Sequence, residues 1–251
     1  MSGITHDPFA RFRGLTRARI GIGRAGDAQP TNALLDFQAA HSRARDAVHG
    51  AVDFHALAAQ LAHPSVPVRS RAPDRQTYLR RPDLGRRLHE EDVSRLQALA
   101  GDFDLAIVVA DGLSAAAVSA QVPGLLAALL PRLDGMRLAP IALAAQGRVA
   151  LGDEIAELLG ARMVAVLIGE RPGLSVADSL GIYLTWQPRL GRVDAERNCI
   201  SNVHGDGLSH AQAAETLLWL MNEARERQLT GVDLKLETPT VSLPSAPQAL
   251  T

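Results

Sequence analysis

Residues 147–174 read GRVALGDEIAELLGARMVAVLIGERPGL, and the fold class turns on this stretch. Gly147-Arg148 opens a turn. Over residues 152–159, Ile155, Leu158 and Leu159 recur on one face at helical spacing. Gly160 stands where helices commonly end on a glycine. Residues 163–168, MVAVLI, are an unbroken apolar run, as expected of a strand buried on both faces of a parallel sheet. Gly169-Glu170-Arg171-Pro172-Gly173 is a charged turn that continues neither element. In open α/β sheets, ligands bind beyond the carboxyl ends of the strands. Glu170 stands at one such end, and Gly147 and Val149 stand at the end one crossover earlier.

The alternation extends upstream. Residues 104–110, DLAIVVA, predict a buried strand. Asp111-Gly112-Leu113-Ser114 is its exit turn, and Ser114 or Asp111 can cap the Ala-rich helix that follows. Pro123 is expected to divide that helix, with a second part running to residue 130. Residues 136–144 predict the next strand. Three exits thus carry turn chemistry: Asp111-Gly112, Gly147-Arg148-Val149 and Gly169-Glu170-Arg171. Aligned along one sheet edge they make a crevice. Strands alternating with helices place the chain in the α/β class, as a Rossmann-like, mostly parallel sheet with flanking helices and right-handed crossovers. Downstream, residues 182–186 predict a short strand at the sheet edge before Pro188. Residues 197–203 lead into His204-Gly205-Asp206-Gly207. Ser209 is expected to cap a helix from residue 210 to about 229. Residues 236–251 are rich in Pro, Ser and Thr and are expected to be a disordered tail.

The first hundred residues read as a helical N-terminal region. Residues 1–17 are expected to be a weakly ordered leader with a short helix near residues 8–15. Gly21-x-Gly23-x-x-Gly26 has the spacing of a dinucleotide loop but lacks the preceding buried strand that such a loop needs. A turn before a helix is the better reading. Residues 31–48 form that helix, with Thr31 as its expected N-cap after Pro30, and its far end is basic (His41, Arg43, Arg45). Residues 53–61 are a second short helix, and His55 is read as solvated. Residues 66–88 crowd Arg69, Arg71, Arg75, Arg80, Arg81, Arg86 and Arg87 into one stretch. It is either a solvated basic loop or a surface that grips an acidic partner or a phosphate. Residues 90–100 predict a helix.

Composition narrows the classes. The 251 residues are 47% hydrophobic and 21% charged, as expected for a protein with a sizeable core. A net charge of −1 gives no footprint for nucleic acid or an anionic membrane. Cys199 is the only cysteine, which excludes an internal disulfide or a Cys-cluster zinc site. Read from its surroundings alone, it is a structural buried thiol. Lys235 is the only lysine, so no mid-chain Schiff base is available. No apolar run has the length of a membrane span, and the amino terminus has no secretory apolar region.

Seven stretches, in order, go further. They are GRAG at 23–26, LLDFQAAHSRARDAV at 34–48, YLRRPDLGRRL at 78–88, VVADGLSAAAV at 108–118, GRVALGDEIAELLGA at 147–161, LIGERPGL at 167–174 and NCISNVHGDG at 198–207. Together the set resembles the small (light) subunit of ethanolamine ammonia-lyase over about residues 18–235. The resemblance implies half of an adenosylcobalamin-dependent lyase that converts ethanolamine to acetaldehyde and ammonia by a radical mechanism. It implies a large subunit carrying a barrel and most of the catalytic groups, in a complex of six large and six small chains. The small chain then divides into a leader (1–17), a helical region (18–100), a Rossmann-like cobalamin-binding domain (101–235) and a tail (236–251).

By motif, the family's corrinoid contacts fall on Val149, Glu170 and Cys199. The surrounding turns add Gly147, Arg148, Gly169, Arg171 and Asp111. Val149 and Glu170 were already marked as strand-exit residues; Cys199 enters only through the resemblance. Asn202-x-His204-x-x-Gly207 is one residue from a cobalt-ligand pattern, but Asn stands where a carboxylate would orient the imidazole. His204 is therefore expected not to ligate cobalt, and no metal ligand is assigned. The expected location is cytoplasmic, free or within a bacterial microcompartment; the short leader leaves the microcompartment open. The competing readings are a nucleotide-dependent enzyme built on residues 21–26 and a non-catalytic scaffold.

Overall fold

A computed structural model describes residues 9–16 and 18–235; the expectations for residues 1–8, for residue 17 and for the tail from 236 lie outside it. In chain order the elements are α1 (Ala10–Arg13), α2 (Thr31–His49), α3 (Phe54–Ala58), β1 (Ser65–Arg69), α4 (Arg75–Arg80), α5 (Glu90–Gln97) and β2 (Phe103–Ala110). There follow α6 (Ala115–Leu129), β3 (Ile141–Ala145), α7 (Leu151–Leu159), β4 (Ala161–Gly169), β5 (Leu180–Trp186), β6 (Asn198–Val203) and α8 (His210–Arg227).

The strands form one sheet in the order β1-β3-β2-β4-β5-β6. The first four are mutually parallel, and β5 and β6 add on antiparallel. β2 shows how the sequence specifies the layers. Leu105, Ile107 and Val109 enter a core shared with α6 and α8, while Ala106, Val108 and Ala110 enter a second core shared with α5 and α7. Both faces are covered, so the strands read as continuous apolar runs. The α7–β4 unit has the form expected, and α7 ends on Gly160 in the left-handed conformation, φ 75°.

Several expectations need correction. The arginine-crowded stretch begins with a strand: β1 pairs in parallel with β3 at the edge of the sheet. Its short SVPVR sequence, with Pro67 inside it, hides the period-two signal. The N-terminal region is therefore not purely helical. Pro123 does not divide α6, which runs unbroken through it. A mid-helix proline costs about 3 kcal/mol. Burying Val118, Val122, Leu125, Leu126 and Leu129 against the sheet returns about 1.5–3 kcal/mol each, which outweighs it. By length and composition, Ala115–Arg132 would suffice to cross a membrane, which the sequence reading did not see. In this fold those same side chains fill the core.

β5 is not the edge strand, because β6 pairs outside it. The third strand begins at Ile141, after Pro140, with only an isolated bridge at Leu138 before it. Thr31 is the first helical residue rather than the cap: Pro30 holds the cap position, and Ala33 N–H donates to Asn32 Oδ1 at 2.8 Å. Ser114 and Ser209 do cap α6 and α8.

Candidate functional site

The three strand exits meet. Asp111, at the end of β2, is 3% exposed and accepts from the backbone N–H groups of Gln146 (2.9 Å) and Gly147 (3.0 Å) at the end of β3. Burial pushes its carboxyl upward, while the two amides and Arg75, 3.6 Å away, pull it back towards the ionised form. Asp111 is thus the staple between two exits, a use the sequence left undivided between capping and ligand binding. Gly112 has φ 56°, and a Cβ there would meet Gly169 O at 2.3 Å. Leu113 N–H donates to Gly169 O at 2.9 Å. These contacts bring the third exit against the first, with no room for a side chain at Gly112 or Gly169.

Above this join lies a cleft of about 290 Å³ lined by Val149, Glu170, Arg171, Tyr183, Tyr78 and Arg148, with Gly112, Leu113, Ile168 and Gly169 also on its surface. Of the eight candidates named from sequence, five line it: Val149, Glu170, Arg171, Arg148 and Gly169. Gly147 lies beneath, its carbonyl accepting from Tyr78 Oη at 2.9 Å. Asp111 lies behind the wall. Cys199 sits on β6 opposite Tyr183 of β5, beside the cleft.

The expectation of a buried Cys199 thiol fails, because the residue is exposed. β6 is the outermost strand, and no described element covers that face. Partial desolvation still pushes the thiol pKa up, and a hydrogen bond from Tyr183 pulls it down.

Glu170 is partly engaged within the chain. Its Oε2 accepts from Ser179 Oγ at 2.5 Å and from Asn202 N–H at 3.4 Å. The carboxylate therefore points along β5 and β6 with acceptor capacity left over. Desolvation also pushes the Tyr183 phenol upward, so it stays neutral and can donate.

The sequence reading missed Tyr78, Arg75 and Tyr183. A signal was present: the chain has only two tyrosines, and both line this cleft. Arg75 hides among the seven arginines, but it alone is clamped inward. It donates to Val48 O (2.6 Å), Gly112 O (2.8 Å) and Gln146 Oε1 (3.4 Å).

The remaining candidates lie elsewhere. Residues 21–26 join α1 to α2 with one isolated bridge, Ala25 to Ala28, and no strand precedes them in the described chain. His204 Nδ1 accepts from Asp206 N–H at 3.3 Å, and the ring lies against Gly207 rather than in the cleft. Among the described residues, no group of three His, Cys, Asp or Glu side chains could hold a metal ion.

Comparison with known proteins gives the family. The family described as ethanolamine ammonia-lyase light chain (EutC) matches residues 6–235. The ethanolamine ammonia-lyase small subunit of Azotobacter vinelandii is 55% identical over 254 residues, covering 98% of this chain and 94% of that one. Those of Pseudomonas fluorescens and Xanthomonas campestris pv. campestris are each 52% identical, covering 98% and 97% of this chain and 93% of theirs. With a match spanning the sheet and every wall of the cleft, the chain belongs to the ethanolamine ammonia-lyase light-chain family.

Proposed function

We propose that this chain is the small subunit of an adenosylcobalamin-dependent ethanolamine ammonia-lyase, and that its cleft holds one side of the corrinoid against a large subunit. The observation that carries the reading is the convergence of three strand exits on one cleft, in a chain of this family.

The residues fit such a group. Gly112 and Gly169 let the first and third exits close on each other, which brings Leu113, Glu170 and Arg171 to one cleft. Glu170 has acceptor capacity for amide arms or a ribose hydroxyl, and Tyr183 can donate. Buried Nε of Arg148 and Nη2 of Arg75 have no hydrogen-bond partner. A cleft of about 290 Å³ is at the lower limit of small-molecule sites, roughly 300–1,000 Å³. It takes part of a corrinoid and leaves the rest for another chain.

In this reading Val149 and Gly169 offer surface and backbone, Gly147 holds Tyr78 from beneath, Arg148 and Arg171 offer positive charge, and Glu170 and Cys199 flank the ring. Asp111 acts from behind by fixing the two exits. When bound, the cofactor supplies the radical chemistry; the chain's residues bind it, orient it and cover one face from water. His204 stays outside the ligand set, since its Nδ1 is turned to its own loop.

The test is co-expression with a candidate large subunit and an assay of acetaldehyde release from ethanolamine with adenosylcobalamin. Activity that needs both chains and the cofactor is the expected result. A complex that forms but binds no corrinoid would overturn the proposal.

A further inference from the structure

Tyr78 is completely buried at the cleft wall. Its ring lies between two guanidinium groups: the central carbon of Arg75 is 4.8 Å from the ring centroid and that of Arg148 is 4.3 Å. Its phenol donates to Gly147 O, and Arg148 N–H donates to Gly85 O at 2.8 Å. Gly85 leaves room for the stack; a Cβ there would meet the Tyr78 ring at 2.8 Å and Arg148 Cγ at 2.9 Å.

The two arginines are used differently. Arg75 is committed inside the protein, to three carbonyl-type oxygens and to Asp111. Arg148 has no carboxylate partner among the described residues, and its Nε is buried with no hydrogen-bond partner. Two like charges on one ring repel each other, a cost that a negative group beside each would offset. Asp111 does this for Arg75. Nothing within the described chain does it for Arg148, which lines the cleft. A guanidinium held over a buried ring, partly desolvated and with no carboxylate beside it, suits an anionic oxygen.

We propose that Tyr78 is a positioning residue of the cleft: stacked on Arg75 and Arg148, it holds the Arg148 guanidinium to take an anionic oxygen of the bound ligand. The inference rests on the cobalamin reading above, in which the ligand's fixed negative charge is the phosphodiester of its nucleotide arm.

The test uses the assembled complex with the large subunit, and equilibrium dialysis with two probes. These are hydroxocobalamin and cobinamide, which lacks the nucleotide arm and its phosphate. Arg148→Ala should weaken cobalamin binding by about tenfold, as loss of a charge-assisted contact does, and cobinamide binding by less than about threefold. Arg148→Lys, which keeps the charge without the planar stack, should lose most of the same affinity. Tyr78→Leu should match Arg148→Ala for cobalamin, while Tyr78→Phe, which keeps the ring, should stay within about threefold of wild type.

Coupling decides whether Tyr78 acts through Arg148. In the Arg148→Ala background, Tyr78→Leu should add less than about twofold. Full multiplication of the two effects, or an unchanged Tyr78→Leu complex, would overturn the positioning role. Equal weakening of cobinamide by Arg148→Ala would overturn the phosphate assignment. If Tyr78→Leu does not fold, the two Arg148 variants and Tyr78→Phe still decide it: unchanged cobalamin affinity in both Arg148 variants overturns the proposal. A wild-type complex that binds neither corrinoid overturns the cobalamin reading and this inference together, whereas wild-type binding with unaffected variants removes this inference alone.

Discussion

At the scale of single residues, Glu170 is doubly bound to its surroundings. Its carboxylate receives Ser179 Oγ and Asn202 N–H from the two antiparallel strands and their connection, and on our reading it also receives donors from the corrinoid. Glu170→Ala should weaken cofactor binding by about 1–3 kcal/mol; an unchanged dissociation constant in the assembled complex would remove it from the site. Asp153 presents a different case. It forms a buried ion pair with Arg197 at 2.5 Å, both side chains being 3% exposed or less, and burial pushes its carboxyl up to about 6. A folded pKa raised above the unfolded one adds stability at low pH that is lost as pH rises through the folded value. Relative to Asp153→Asn, wild-type stability should therefore fall between about pH 4 and pH 6, by at most about 3 kcal/mol. Urea unfolding of both proteins across that range measures it, and parallel curves would contradict it. The positions of Glu170 and Val149 at strand exits were legible in the sequence because each lies in the turn that follows an apolar run. Tyr78 was not, because a side chain stacked between arginines looks like any residue of a basic loop until the sheet closes over it.

At the scale of elements, the α7–β4 unit was read correctly because helix spacing, a terminal glycine and a buried run agree with one another. β1 was not, because its alternation, Val66 and Val68 inward, spans only five residues with a proline among them. α6 failed for another reason. A local rule about Pro123 competed with tertiary burial, and burial won. The helix thus retains a broken hydrogen-bond step. Pro123→Ala should raise stability by about 1 kcal/mol or more by restoring it. Thermal unfolding decides this; a lowered midpoint would mean that the ring itself contributes packing the helix needs.

At the scale of the whole molecule, the arginine-crowded stretch divides into two groups. Arg69, Arg71, Arg81 and Arg87 pair with Glu91, Glu90, Asp83 and Glu154, and Arg75 is clamped inward. Arg80 and Arg86 are exposed and make no ion pair among the described residues. They are the ones free to meet another chain. Reversing both charges should leave the isolated chain within about 0.5 kcal/mol of its stability and weaken assembly with the large subunit. Gel filtration of the mixed subunits reads this out, and an undiminished complex peak would discard the idea. The general class of the fold was legible because both sheet faces are covered; the partner-facing surface was not, because charge density alone does not say which arginines are already paired.

The cleft's lining runs from Tyr78 to Tyr183 in the chain, and Cys199 lies beyond it. No short fragment carries the site, and during synthesis it is not complete until the sixth strand, with Cys199 and Asn202, has left the ribosome. A ligand that recognises this cleft recognises only the finished sheet, and mass action then weights the folded chain over the unfolded one. If the corrinoid binds here as we propose, its scarcity would therefore register twice in a cell: as idle enzyme, and as fewer surviving copies of this subunit.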